Sequence, residues 1–155
     1  MKNTDIFNGD SDRHFSLNST SLTSEATENS KMSIRHKFGH DHNNGWGVEE
    51  IYKFADGMIK GSDPFVTITN TKVENGIMAV SYIAPSDIMV EKATMYYITE
   101  RNLPYNGEIT WEVVNEYFIE NDMVTMKVPS EATFCYATLT DSCGCLISTK
   151  YIDVN

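Results

Sequence analysis

Residues 73–85 read VENGIMAVSYIAP and decide the fold class of the chain. Within this stretch, the run 76–83 lies between two sets of turn residues, Glu74-Asn75-Gly76 and Pro85-Ser86-Asp87. The run is rich in Ile, Met, Val and Tyr, which are residues that pack well on a pleated surface. Apolar side chains recur at every second position, which predicts a β-strand with one face turned to a core.

The same two-residue period continues on both sides of this run. It predicts further strands at 65–69, 92–99, 108–114, 117–128 (broken at 120–122), 132–139 and 145–153. Seven short strands over roughly 90 residues are typical of an antiparallel β-sandwich. We therefore expect a mainly β fold, with the sandwich at 62–155. Its predicted buried residues are Ile109, Trp111, Val113, Val124, Met126 and Phe134.

The first sixty residues have a different character and contain one clear helix. In Val48–Lys60, apolar residues recur at helical spacing at Val48, Ile51, Ala55, Met58 and Ile59. Gly61 and Pro64 end the helix. We expect its apolar stripe to dock on the sandwich or on a partner chain. Residues 16–30 are rich in Ser, Thr and Asn, which predicts a loop or a weakly held helix, and low order for most of residues 1–30.

Composition and charge exclude several classes of partner. The chain has 155 residues and a formal net charge of −10 at pH 7. Nucleic acids and anionic membrane surfaces bind basic faces, so neither is an expected partner. No apolar run approaches the ~18–20 residues of a membrane span.

Several short motifs of the first half, taken in order, resemble the end of an α/β-hydrolase domain. Residues 8–15, NGDSDRHF, look like the segment that carries the acidic triad member, and 32–38 looks like the last core strand. Gly39-His40 looks like the turn that presents the catalytic histidine. Residues 45–55, GWGVEEIYKFA, resemble the closing helix of hydrolases akin to acetyl xylan esterases and PhoPQ-activated pathogenicity-related proteins.

This resemblance implies that residues 1–61 are a truncated hydrolase remnant in front of an immunoglobulin-like domain. It implies Asp12 and His40 as the catalytic acid and base, with no metal or organic cofactor. The nucleophile is missing, because no G-x-S-x-G motif occurs in the sequence. The chain is thus expected to be inactive alone. Its partners would be an upstream hydrolase domain or chain and a small ester, peptide or carbohydrate substrate.

Two other interpretations remain open. His36, His40 and His42 with Asp41 could form a metal site, since imidazole and carboxylate suit zinc or copper. Tyr96-Tyr97, Tyr105 and Trp111 could form an aromatic platform for sugar rings. The alternative function is therefore a non-catalytic carbohydrate- or protein-binding β-sandwich module. An exposed aromatic patch or an unpaired sheet edge would favour it.

Overall fold

A computed structural model describes residues 4–12, 14–27, 30–101 and 109–154. Strands are the most abundant secondary structure of the described residues, which also contain three helices. In chain order the elements are β1 (Thr4–Gly9), α1 (Leu17–Ala26), β2 (Ser30–Arg35), α2 (His42–Trp46), α3 (Glu49–Lys60), β3 (Thr67–Glu74), β4 (Ile77–Ile83), β5 (Val90–Ile98), β6 (Glu112–Val114), β7 (Phe118–Glu120), β8 (Met123–Lys127), β9 (Phe134–Asp141), β10 (Leu146–Ser148) and β11 (Ile152–Asp153).

The second half forms two antiparallel sheets, as the two-residue period predicts. One has the strand order β3-β4-β8-β7, and the other has the order β10-β9-β5-β6 with β11 also paired to β9. The two sheets share one buried core, to which β4 and β8 contribute Met78 and Val124, and β5 and β9 contribute Met95 and Leu139. Residues after 64 thus fold as a β-sandwich-like unit, which confirms the mainly β, antiparallel class.

The first half packs on the outer face of the β5–β9 sheet. Strands β1 and β2 pair in parallel, and helix α1 joins them in sequence. A second core forms where Met32 and Ile34 of β2 and Leu17 of α1 meet Trp111 and Tyr136. Residues 4–12 and 14–27 therefore contribute an ordered strand and helix, contrary to the low order that their composition predicts.

Polar contacts explain how so few apolar residues hold the segment with α1 in place. The Asn8 side chain donates to the Phe15 carbonyl (2.9 Å) and to Thr20 Oγ1. Ser16 caps the helix by accepting from the Ser19 N–H, and Ser21 Oγ accepts from the Tyr151 N–H. Satisfied hydrogen bonds thus hold this segment in place, although its sequence has few apolar residues to pack.

Burial of the predicted sandwich core is only partly as expected. Val124, Met126 and Trp111 are buried, while Ile109 and Phe134 are half-buried. Val113 is exposed, so its prediction is wrong. Trp111 lies outside the sandwich core: its ring packs edge-on against Tyr136 on the outer face of the sheet.

Candidate functional site

The loops that follow β1 and β2 meet at one end of the parallel pair. Parallel strands end at the same edge of a sheet, so residues 10–12 and 36–41 are brought together by the pairing of Gly9 with Arg35. Gly9 permits this approach, because a Cβ there would lie 1.6 Å from the Phe38 carbonyl oxygen. Only glycine allows the two loops to lie this close.

The structure brings the two predicted catalytic residues into contact. His40 Nδ1 lies 2.9 Å from Asp12 Oδ2, and the rings of His14 and Phe15 lie against the imidazole. Asp12 Oδ1 accepts from the backbone N–H groups of His14 (2.7 Å) and Phe15 (3.1 Å). The Asp12 carboxylate therefore orients the imidazole and leaves Nε2 as the nitrogen that can accept a proton.

The pKa of Asp12 is lowered by this arrangement. Partial burial raises it, but the hydrogen bond to His40 and those from the two backbone N–H groups together outweigh burial. The carboxylate consequently stays ionised into the acidic range and keeps its hold on His40.

A second carboxylate–histidine pair, which the sequence patterns do not reveal, lies deeper. His36 Nδ1 is 2.6 Å from Asp10 Oδ2, and the Tyr136 hydroxyl donates to the same oxygen (3.0 Å). Asp10 Oδ1 accepts from the Lys37 N–H (2.7 Å). The His36 ring stacks on Tyr96, which stacks on Tyr136. Asp10 thus ties both loops to β9, and its role is structural.

The metal interpretation finds no support in the described residues. His36 is hydrogen-bonded to Asp10 and His40 to Asp12, so these two histidines belong to two separate carboxylate–histidine pairs. Within the described ranges, no group of three His, Cys, Asp or Glu side chains is placed to hold an ion.

Beside the Asp12–His40 pair lies a cleft of about 690 Å³. Its apolar walls come from the end of β1, the loop after β2, α2 and the start of α3, and its polar groups include Asp12 and His40. The apolar lining residues are Phe7, Phe38, Trp46, Val48 and Ile51. Trp46 is 68% exposed at the mouth.

From the cleft, the apolar stripe of α3 runs outward into solvent. Ala55 is exposed, Met58 is 52% exposed and Ile59 is 84% exposed. An adjacent side of the helix faces the protein: Glu50 and Gly57 are buried, and Phe54 packs on the sandwich core. The apolar stripe is therefore not the face that docks on the sandwich.

An ion pair with a buried carboxylate fixes this orientation of α3. Both carboxylate oxygens of Glu50 lie 2.6 Å from Arg35 Nη2, and Glu50 Oε1 also accepts from the Leu146 N–H (2.7 Å). Glu50 is only 1% exposed. Rotating the helix to bury its apolar stripe would therefore separate the buried Glu50 carboxylate from Arg35, and an unpaired buried charge is strongly destabilising. At Gly57, a Cβ would lie within 3 Å of Pro64 and of the Ser62 carbonyl. The absence of a side chain at Gly57 therefore allows residues 62–64 to pack closely against the helix.

The aromatic residues proposed as a sugar platform do not form one. Trp111 is buried, and the half-buried Tyr96 ring is stacked between His36 and Tyr136. Tyr97 is half-buried against the sandwich core. Tyr105 lies outside the described residues.

Comparison with known proteins gives only distant structural likenesses. No protein-family model matches the sequence, and neither does any curated protein. A superoxide reductase (1Fe-SOR) from Giardia intestinalis is similar to the structure at 8% identity and a TM-score of 0.38, over 55% of this chain and 94% of that one. A DUF3823 family protein from Bacteroides ovatus is similar at 8% identity and a TM-score of 0.31, over 57% and 53%. Likenesses at this level say nothing about activity.

The fold overturns the resemblance to an α/β-hydrolase. The described chain is mainly antiparallel β with three short helices. An α/β-hydrolase is built on a mostly parallel sheet, whereas β1–β2 is the one parallel pair among the described strands. The prediction of a hydrolase remnant akin to acetyl xylan esterases or PhoPQ-activated proteins is wrong. The short motifs misled because a strand–loop–helix order is common to many folds.

Proposed function

We propose that this chain is a non-catalytic, protein-binding β-sandwich module. The observation that carries the proposal is the outward apolar stripe of α3, which is continuous with the cleft lined by Trp46 and Ile51. Monomeric proteins rarely expose a contiguous apolar surface of this kind unless it contacts a partner. We call this continuous surface, made of the cleft and of Ala55, Met58 and Ile59, the α3 face.

The energetics of the α3 face favour a covered state. Fully burying a side chain such as Met58 or Ile59 is worth roughly 1.5–3 kcal/mol. The isolated chain does not obtain this stabilisation, because the ion pair between Glu50 and Arg35 holds the helix with its apolar stripe toward solvent. A partner that covers the stripe recovers it without disturbing the ion pair.

The chemistry of the α3 face fits a protein better than a sugar. Trp46 and Tyr52 are the exposed aromatic side chains of this region, with Met58 and Ile59 beyond them. Aromatic residues and Met are enriched at the centres of protein interfaces. The aromatic residues of the supposed sugar platform are instead used in internal packing.

Capture by variants tests the proposal. The full chain is immobilised, an extract of the cells that produce it is passed over, and bound proteins are identified. One discrete protein should bind to wild type and be lost with Met58→Asp and with Ile59→Asp. The matched control is Phe118→Asp on β7, which removes a large apolar side chain that is likewise exposed, at 79%. Loss with Phe118→Asp as well, or retention with both α3 variants, would contradict a docking role for the α3 face.

The immunoglobulin-like type of the sandwich is part of the same proposal. The sheet orders β3-β4-β8-β7 and β10-β9-β5-β6 match an A-B-E-D and G-F-C-C′ arrangement, which supports that type. We also propose that 62–155 is the sandwich domain and 1–61 the segment that carries the α3 face.

The Asp12–His40 pair supports a second candidate function, an acid–base site that the partner completes. The supporting observation is the 2.9 Å contact, together with an imidazole that is about half exposed at the cleft. His40 would accept a proton from a nucleophile that the partner contributes. The test is acyl transfer from an activated acetyl ester by the captured complex. The rate should fall at least a hundredfold with His40→Gln, and an unchanged rate would remove this candidate.

A further inference from the structure

One edge of β1 carries unpaired backbone groups. Strand β1 pairs with β2 alone among the described strands, in parallel. Parallel strands are normally flanked on both sides within a larger sheet, since a two-stranded parallel ribbon leaves half its backbone groups unpaired. Strand β2 meets this expectation on its far side, where Ser148 Oγ of β10 accepts from the Ile34 N–H at 2.8 Å. Strand β1 has no comparable neighbour in the described chain.

Alternation along β1 identifies which backbone groups face outward. In a parallel pair, every second residue directs both its N–H and its C=O to the same neighbour. The Asp10 N–H donates to the Arg35 carbonyl at 3.0 Å, so Asn8 and Ile6 also face β2. Asp5 and Phe7 then direct their backbone groups to the open edge. The Gly9 N–H is already satisfied by Asn8 Oδ1 (2.8 Å), which closes the edge at that end.

We propose that β1 accepts one additional β-strand from the protein partner, so that the partner's chain extends the β1–β2 pair beside the α3 face. This rests on the proposed function and specifies the partner's chemistry: an extended segment with apolar residues at alternate positions. Backbone N–H and C=O groups repeating every second residue match another strand. The side chain of Phe7 already lines the cleft, so the added strand would direct one row of side chains toward it.

Charge favours a different protein over a second copy of this chain. Each copy carries a net charge of −10, and like-charged chains repel one another. A neutral or basic segment meets no such repulsion.

The test uses a displayed library of randomised twelve-residue peptides, selected on the full chain. Bound peptides should alternate apolar and polar residues. On binding, amide exchange should slow at Asp5 and Phe7, while Ile6 and Asn8, already bonded to β2, should change little. Selection of no peptide would overturn the proposal, as would peptides that leave the Asp5 and Phe7 amides unprotected. Self-association of the chain that protects the same amides would overturn the choice of partner.

A matched pair of variants isolates the backbone contribution. Asp5→Ala and Asp5→Pro both remove the carboxylate, but only Pro removes the outward N–H, and proline is tolerated where an edge N–H faces solvent. Peptide affinity should fall about tenfold in Asp5→Pro relative to Asp5→Ala. Equal affinities would refute strand addition. If the chain still captures a protein in a way that depends on Met58 and Ile59, the proposed function stands even though strand addition is refuted. Should Asp5→Pro fail to fold, the wild-type exchange pattern decides.

Discussion

Replacing Asp10 by Ala should strongly destabilise the protein. Asp10 is 3% exposed and accepts from the Tyr136 hydroxyl, from the Lys37 N–H and from His36. An orphaned buried donor costs about 1–3 kcal/mol. The Tyr136 hydroxyl is fully enclosed, so losing its acceptor costs the full amount. The partly exposed His36 loses less, and the Lys37 N–H can hydrogen-bond to water instead. The free energy of unfolding should therefore fall by about 3–4 kcal/mol, a large part of a small domain's stability.

Urea unfolding followed by far-ultraviolet circular dichroism measures this loss. The control is Tyr136→Phe, which removes one donor and leaves the carboxylate its other partners, so it should cost about 1 kcal/mol. A loss below about 1 kcal/mol for Asp10→Ala would refute the reasoning. It would mean that Asp10 does not join the first half of the chain to β9.

Three other experiments have definite expected outcomes. Burial raises the pKa of Asp5 from 3.8 to about 7, so the ionised carboxyl destabilises the fold as pH rises from about 4 to 7. Asp5→Asn should gain about 1–2 kcal/mol at pH 8, after allowance for solvent screening, and little at pH 4, as measured by urea unfolding at both pH values. Gly9→Ala should lower the melting temperature because its Cβ would clash with the Phe38 carbonyl, while Gly45→Ala, which meets nothing within 4 Å, should not; equal melting temperatures would contradict the close approach. The isolated chain should hydrolyse activated acetyl esters no faster than free imidazole, because His40 contacts Asp12 and aromatic rings but no nucleophile among the described residues; labelling of a serine by a fluorophosphonate would contradict this.

Local periodicity was sufficient to predict the strands after residue 64 and helix α3. Both are stabilised by patterns that repeat within a few residues, such as Met78, Val80 and Tyr82 on one face of β4. Asp12 and His40 were singled out through a resemblance that is wrong, yet the structure places their side chains in contact. The same two loop positions meet in any parallel pair whose strands end there.

Long-range polar contacts account for what the sequence did not reveal. The apolar stripe of α3 is evident in the sequence, but its outward direction depends on Glu50 meeting Arg35 and the Leu146 N–H, which lies 96 residues away. The burial of Asp10 depends on Tyr136, 126 residues away. Trp111 was correctly predicted to be buried, but periodicity does not say which side of the sheet a second layer covers.

Site-specific photo-crosslinking tests the central claim, that the α3 face binds a protein, most directly. A photoreactive p-benzoylphenylalanine replaces Ile59 in one preparation of the full chain and Phe118 in another, and both are irradiated in an extract of the producing cells. The account predicts one discrete crosslinked protein from position 59 and none from position 118. Crosslinking from position 59 that is no stronger or more discrete than that from position 118 would contradict it.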